Sequence, residues 1–191
     1  MRLPSLPHDT LDADARRVWD SVTGGRRAGA GLVGADGSLA GPFNAMLYTP
    51  AIGERYAALG EAIRFDAILD DRLREIATLV VGAFWRSDFE WAAHAALARR
   101  AGVRDDVIDA IARGEDPVFA DPRAAIAHRF TAELLRGDVP DDTYAEAVRL
   151  LTEREIAELA MVVGYYCLIC LTLNAFRVPG PAGSAAPWPA R

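Results

Sequence analysis

The sequence predicts an all-α fold: a single-domain helical bundle built from two related helical halves. Three observations predict it. Alanine supplies 36 of the 191 residues and aromatics only 8%, a balance that favours close-packed helices over sheets. Apolar residues recur at spacings of three and four along most of the chain. No segment alternates with period two for long.

The elements run in chain order. Residues 9–22 (DTLDADARRVWDSV) predict a first helix with an aspartate-rich start. Residues 24–41 are glycine-rich and aperiodic, so they form a loop. Within it Gly29-Ala30-Gly31-Leu32-Val33-Gly34 fits G-x-G-x-x-G. No strand precedes it and no clear helix comes after it, so the dinucleotide reading fails on context. Residues 50–65 begin with proline and carry Ile52, Tyr56, Leu59 and Ile63 at helical spacing. Residues 70–86 carry Leu73, Ile76, Val80 and Phe84 on one stripe. Residues 88–101 continue as a helix that Gly102 stops. Shorter helices are expected at 104–113, 122–136 and 141–150, and a long one at 152–176. The tail VPGPAGSAAPWPAR has four prolines in 14 residues and cannot be a packed helix. It is expected to be disordered or laid along a neighbouring subunit. The chain thus divides into 1–40 (helix and glycine-rich loop), 41–178 (helical domain) and 179–191 (proline-rich tail).

Composition excludes several chemistries. All 21 basic residues are arginine. Without lysine there is no Schiff-base nucleophile, no pyridoxal-phosphate anchor and no P-loop lysine. A net charge of −6 with no basic block argues against nucleic acid as a partner. Two cysteines make neither a disulfide framework nor a four-cysteine zinc site. The start, MRLPSLPHDTLDADARR, has no apolar signal region, so a cytoplasmic protein is expected. The most apolar stretch, Leu159 to Leu173, is shorter than the roughly 20 residues that span a bilayer. Glu155, Glu158 and Asn174 flank it, so it reads as a buried bundle helix and no membrane partner is expected.

One tetrapeptide recurs. Arg74-Glu75-Ile76-Ala77 returns as Arg154-Glu155-Ile156-Ala157, and both copies lead into an apolar helix. The offset of 80 carries Ser87 onto Cys167, Glu90 onto Cys170 and His94 onto Asn174.

Ser87, Glu90 and His94 are spaced i, i+3, i+7, which places them on one helix face. If the preceding helix ends near Arg86 and the chain turns, Glu75 returns to face His94. Two carboxylates and an imidazole at a helix start form a proton-transfer site. The plainer alternative is a capping box, Ser87-x-x-Glu90, with His94 solvated. Arg86 either pairs with a substrate carboxylate or snorkels at the helix end. Trp85, Phe89, Trp91 and Tyr56 either wall an apolar pocket or belong to the core. Glu90 and His94 offer two ligands at i, i+4, but no third is in evidence, so no metal is expected. His128 reads as a solvated or hydrogen-bonded histidine, and His8 lies near the start.

Three segments carry a family resemblance: GPFNAMLYTPAIGERYAALGEAIRF, LREIATLVVGAFWRSDFEWAAHAALARRAGV and the closing YY…LNAFRV. The stretch from Gly41 to Val178 resembles the carboxymuconolactone decarboxylase family, which includes the alkylhydroperoxidase-D-like proteins. The resemblance implies an all-helical fold and a homo-oligomer, trimer or hexamer. It also implies an active site on the two central helices near a subunit interface. Peroxidase members carry Glu, then Cys-x-x-Cys, then His with three residues between it and the second cysteine. Glu75 and His94 keep that pattern, whereas Ser87 and Glu90 stand at the cysteine positions. Serine and glutamate cannot run a thiol–disulfide cycle, so the resemblance points to the decarboxylase-type branch, whose substrates are small acidic lactones.

Together these residues point to a cofactor-independent lyase or isomerase acting on a small acidic lactone or carboxylate. His94 would donate the proton, Glu90 would be its partner or a second acid/base, Glu75 would orient His94, and Ser87 would hydrogen-bond an oxygen. Arg86, Trp91 and Tyr56 would contact substrate. Two alternatives stand beside it. One is thiol-dependent peroxide reduction through Cys167 and Cys170. The position matching His94 is Asn174, however, and apolar burial in mid-helix makes thiols inert. The other is a non-catalytic oligomeric binding protein.

Overall fold

Asp12 starts the first helix, α1 (Ala13–Thr23), by accepting the Ala15 amide at 2.8 Å. The computed structural model describes residues 1–188. Among them are nine α-helices and no strand, only an isolated bridge between Val33 and Leu39. The all-α expectation holds. The chain separates by its internal contacts into two units.

The first unit comprises residues 1–67 with 172–179. Helix α1 packs on α2 (Phe43–Leu47) and α3 (Pro50–Phe65). Gly53 permits the close approach of α2, because a Cβ there would lie 2.3 Å from the Met46 carbonyl oxygen. The buried Asn44 ties down the N-terminal segment, accepting the Leu6 amide at 3.0 Å and donating to the Pro4 carbonyl at 2.9 Å. Arg27 is buried against the Ala57 carbonyl. Helix α2 lies in a stretch for which the sequence pattern predicts no element. The first helix begins at Ala13, four residues later than expected, because His8–Thr10 form a 3-10 turn.

The second unit comprises residues 68–171 with 180–191, of which 180–188 are described. Its centre is α4 (Asp71–Trp85), buried at every residue from Leu73 to Gly82. Against it pack α5 (Asp88–Arg100), α6 (Asp105–Arg113) and α7 (Pro122–Leu134), with α8 (Asp141–Leu150) on α7. Helix α9 (Glu153–Phe176) gives this unit its residues up to Leu171. Glu158 anchors α9 by accepting the amides of Ile68 and Leu69, both at 2.8 Å. By length and composition α9 could cross a membrane, but half of its apolar window is buried inside the protein. These units cut the chain at points other than the 1–40, 41–178, 179–191 partition. The tail is non-helical, as expected from its prolines. Its described part contacts its own unit. Trp188 donates its indole N–H to Asp88 Oδ1 at 2.6 Å and stands edge-on to Trp91, 5.4 Å between ring centroids.

Candidate active site

The site is made by one interruption. Helix α4 ends at Arg86, which takes the left-handed conformation (φ 48°) and closes the helix by donating its amide to the Ala83 and Gly82 carbonyls. Ser87 is the next residue, in extended conformation, and α5 begins at Asp88. The chain therefore folds back along α4, and His94 of α5 meets Glu75 of α4.

The contacts are short and buried. His94 Nδ1 lies 2.6 Å from Glu75 Oε2, and His94 Nε2 lies 3.0 Å from Glu90 Oε1. On the far side of Glu75 stands Arg74, whose Nη2 is 3.5 Å from Oε1. Arg74, Glu75, Glu90 and His94 are each 7% exposed or less. Charges of opposite sign alternate along this row, which is what makes its burial tolerable. Burial alone would push the imidazole pKa down. The charges of Glu75 and Glu90, and then their hydrogen bonds, outweigh it and raise His94 to about 10. His94 is an imidazolium at neutral pH, donating from both ring nitrogens.

This geometry changes the part expected of His94. Neither ring nitrogen is free to face a substrate, because each already faces a carboxylate. The two carboxylates also lie at opposite ends of the ring. Among the described residues no group of three or more His, Cys, Asp or Glu side chains is arranged to hold a metal ion.

Ser87 is 1% exposed and makes no side-chain hydrogen bond to the start of α5. The capping box offered by the sequence is not formed, because the Glu90 carboxylate turns to His94 instead. The Ser87 hydroxyl has no hydrogen bond of ordinary geometry and lies beside the Cys170 thiol. Arg86 is exposed and lines a cavity of about 420 Å³ next to α4. Trp91 is buried against Trp188. Tyr56 is buried on α3, in the first unit.

Two neighbours of the row, Tyr166 and Arg74, are not singled out as site residues by sequence reasoning. Tyr166 of α9 stands edge-on to His94 at 4.9 Å. Burial, then the charges of Glu90 and Glu75, holds its phenol well above the usual range and therefore neutral. Arg74 is marked in the sequence only as the first residue of the repeated tetrapeptide. Cys170, half of the alternative thiol pair read from the sequence, lies beside Ser87 at the site. Both cysteines are free. Burial pushes the thiol pKa of each up, despite a hydrogen bond to Cys167 Sγ from the Trp85 indole at 3.3 Å.

Comparison with known proteins places the fold. Residues 50–133, which include Glu75, Ser87, Glu90 and His94, match the carboxymuconolactone decarboxylase family. No curated protein matches the chain significantly in sequence. An alkylhydroperoxidase AhpD core structure, an uncharacterized peroxidase-related protein from Ralstonia eutropha JMP134, superposes with a TM-score of 0.74 at 17% identity. The match covers 95% of this chain and 92% of that one. The debrominase Bmp8 gives 0.72 at 14% identity, covering 98% and 94%. A protein of unknown function from Agrobacterium tumefaciens, suggested to be an AhpD antioxidant defence protein, gives 0.64 at 16% identity, covering 74% and 99%. At these identities the likeness establishes the fold. Residues 50–133 are thus similar to the carboxymuconolactone decarboxylase family, and the chain shares its fold with an alkylhydroperoxidase AhpD core structure.

Proposed function

We propose that this chain is a cytoplasmic, cofactor-independent lyase or isomerase that transfers a proton to or from a small acidic lactone or carboxylate. The observation that carries the reading is the imidazolium held between two carboxylates. The Nε2 proton already points at Glu90, so a proton leaving the row passes through Glu90. Glu75, backed by Arg74, fixes the ring from the other side. Glu90 is therefore the group that meets the substrate, and His94 is the reservoir that recharges it.

Decarboxylation in such a site needs an electron sink in the substrate itself, a carbonyl conjugated to the departing carboxylate. Carbon dioxide leaves, its bonding pair moves into the enolate, and Glu90 in its acid form protonates the carbon. The Ser87 hydroxyl, buried and without a hydrogen bond of ordinary geometry, donates to the enolate oxygen. Arg86, one residue before it, meets a substrate carboxylate, and Trp91 backs the start of α5. The test is turnover on a panel of carboxylated γ-lactones. Glu90→Gln and His94→Ala should each lose at least a hundredfold while keeping the helical circular-dichroism signal. Full activity in both ends the reading.

One observation favours a second reading. Cys170 lies beside Ser87 and Glu90, the positions where peroxidase relatives carry thiols. Rapid disulfide formation between Cys167 and Cys170 with hydrogen peroxide would support thiol chemistry, and slow reaction of both thiols until denaturation would remove it. A debrominase shares the fold, and a cysteine variant of it is bound to 2,3,4-tribromopyrrole. The fold thus admits small planar rings in that protein. We also propose self-association as a trimer or hexamer. Met161, Leu168 and Leu171 form an exposed apolar stripe on α9, a surface suited to a second copy. Native mass measurement tests this.

A further inference from the structure

The cavity of about 420 Å³ beside Arg86 is lined by none of Glu75, Ser87, Glu90 and His94. Its size is that of a small-molecule site. Its floor is apolar, from Val80 and Ala83 of α4, Ile111 of α6, Ala132 of α7 and Leu135 just after it. Its rim carries Arg86, Arg113 and Arg136 against Glu115 and Asp116, an excess of one positive charge (3 − 2 = +1). Arg113 is paired with Glu115 at 2.8 Å. Arg136 pairs with no carboxylate among the described residues. His128 also lines the cavity. Burial lowers its pKa, against a smaller opposing effect of Asp116, so it is a neutral hydrogen-bonding group at pH 7. The last wall is the tail: Pro187 and Trp188, with the indole fixed by its bond to Asp88. An apolar floor, a flat aromatic wall and an unmatched guanidinium at the rim define one kind of guest.

We propose that this cavity is a binding site for a small aromatic carboxylate, separate from the Glu75–His94–Glu90 row and completed by Trp188 of the tail. The ring lies on the apolar floor against the indole, and the carboxylate takes the two-pronged hydrogen bond that a guanidinium offers, from Arg136. The site does not depend on the chemistry proposed for the row.

Calorimetric titration of the full chain with benzoate tests it, with benzamide and acetate as comparators. Benzamide keeps the ring without the charge, and acetate keeps the charge without the ring. Benzoate should bind at least tenfold more tightly than either. Arg136→Ala, at an exposed position, and Trp188→Ala should each weaken benzoate binding at least fivefold. Ala132→Phe, which fills the floor, should abolish it. Absence of benzoate binding at millimolar concentration overturns the proposal. So does equal binding of benzamide or acetate, or unchanged affinity in folded Arg136→Ala and Ala132→Phe.

Discussion

The two copies of Arg-Glu-Ile-Ala meet opposite fates. In the first, Arg74 and Glu75 are buried and Glu75 bonds His94. In the second, Arg154 is largely exposed and pairs with Glu158 along the same helix. Glu155 closes a capping box with Thr152 and pairs with Arg123. The tetrapeptide does not decide between these outcomes; the continuity of the helix beyond it does. After the first copy the chain breaks at Arg86 and Ser87 and doubles back, so that His94 reaches a glutamate 19 residues earlier. After the second copy α9 runs unbroken to Phe176. Asn174 is also 19 residues after Glu155, but at 1.5 Å per residue it stands about 28 Å along the helix. A Glu–His contact at this spacing requires the break.

The largest expected effect breaks the comparison at its functional end. His94→Ala should lower turnover of an active lactone by about 10²–10⁴-fold, the range for losing a positioned acid/base group. The matching change in the second copy, Asn174→Ala, should alter it by less than about threefold. Comparable losses in both would mean that α9 also carries the chemistry.

Stability should divide the same way. Glu75→Ala removes the anion between two buried cations, leaving Arg74 only Asp71 and His94 only Glu90, and should cost about 3–5 kcal/mol. Arg154→Ala removes a pair that is mostly in water and should cost under about 1 kcal/mol. Urea unfolding of the two variants measures the difference, and similar midpoints would show that the row is not held by its charges.

The pH dependence above neutrality belongs to the first copy, through His94. The His94 imidazole binds its proton more tightly folded than unfolded, because its folded pKa is about 10 against 6.5. Its contribution is complete below about pH 6.5 and is lost as pH rises through 10. The urea midpoint should therefore fall between pH 7 and pH 10, and this fall should shrink in His94→Gln. An equal fall in that variant would assign the slope to other groups.

Much of the fold and of the site is legible in the sequence, for identifiable reasons. Alanine-rich segments with three- and four-residue spacing predict the helices of both units. The spacing of Glu75, Ser87, Glu90 and His94 predicts the site, because Arg86-Ser87-Asp88 is a visible polar break. Helix α2 is not legible because five residues give too short a window for periodicity. The prolines of the tail predict the absence of helix but not that Trp188 finds Asp88. Tyr166 and Cys170 lie about 70 to 90 residues from their partners, and local pattern carries no information on such pairings. The direction of Glu90 is ambiguous: a glutamate three residues after a serine serves a cap or a histidine equally well on spacing alone.

That ambiguity yields the smallest prediction. Two Ser/Thr-x-x-Glu sequences stand immediately before helices, one at the break before α5 and one at the start of α9. Only Thr152–Glu155 forms both reciprocal bonds, with the Thr152 amide donating to Glu155 at 2.9 Å and the Glu155 amide to Thr152 Oγ1 at 3.2 Å. Thr152→Ala should then cost about 1 kcal/mol, read from urea unfolding. Ser87→Ala gives up no cap and removes a buried hydroxyl lacking an ordinary hydrogen bond, so its cost should be under about 0.5 kcal/mol. Its effect should appear in turnover instead. A serine change that costs as much stability as the threonine change would mean that Glu90 spends its time at the cap and not on His94.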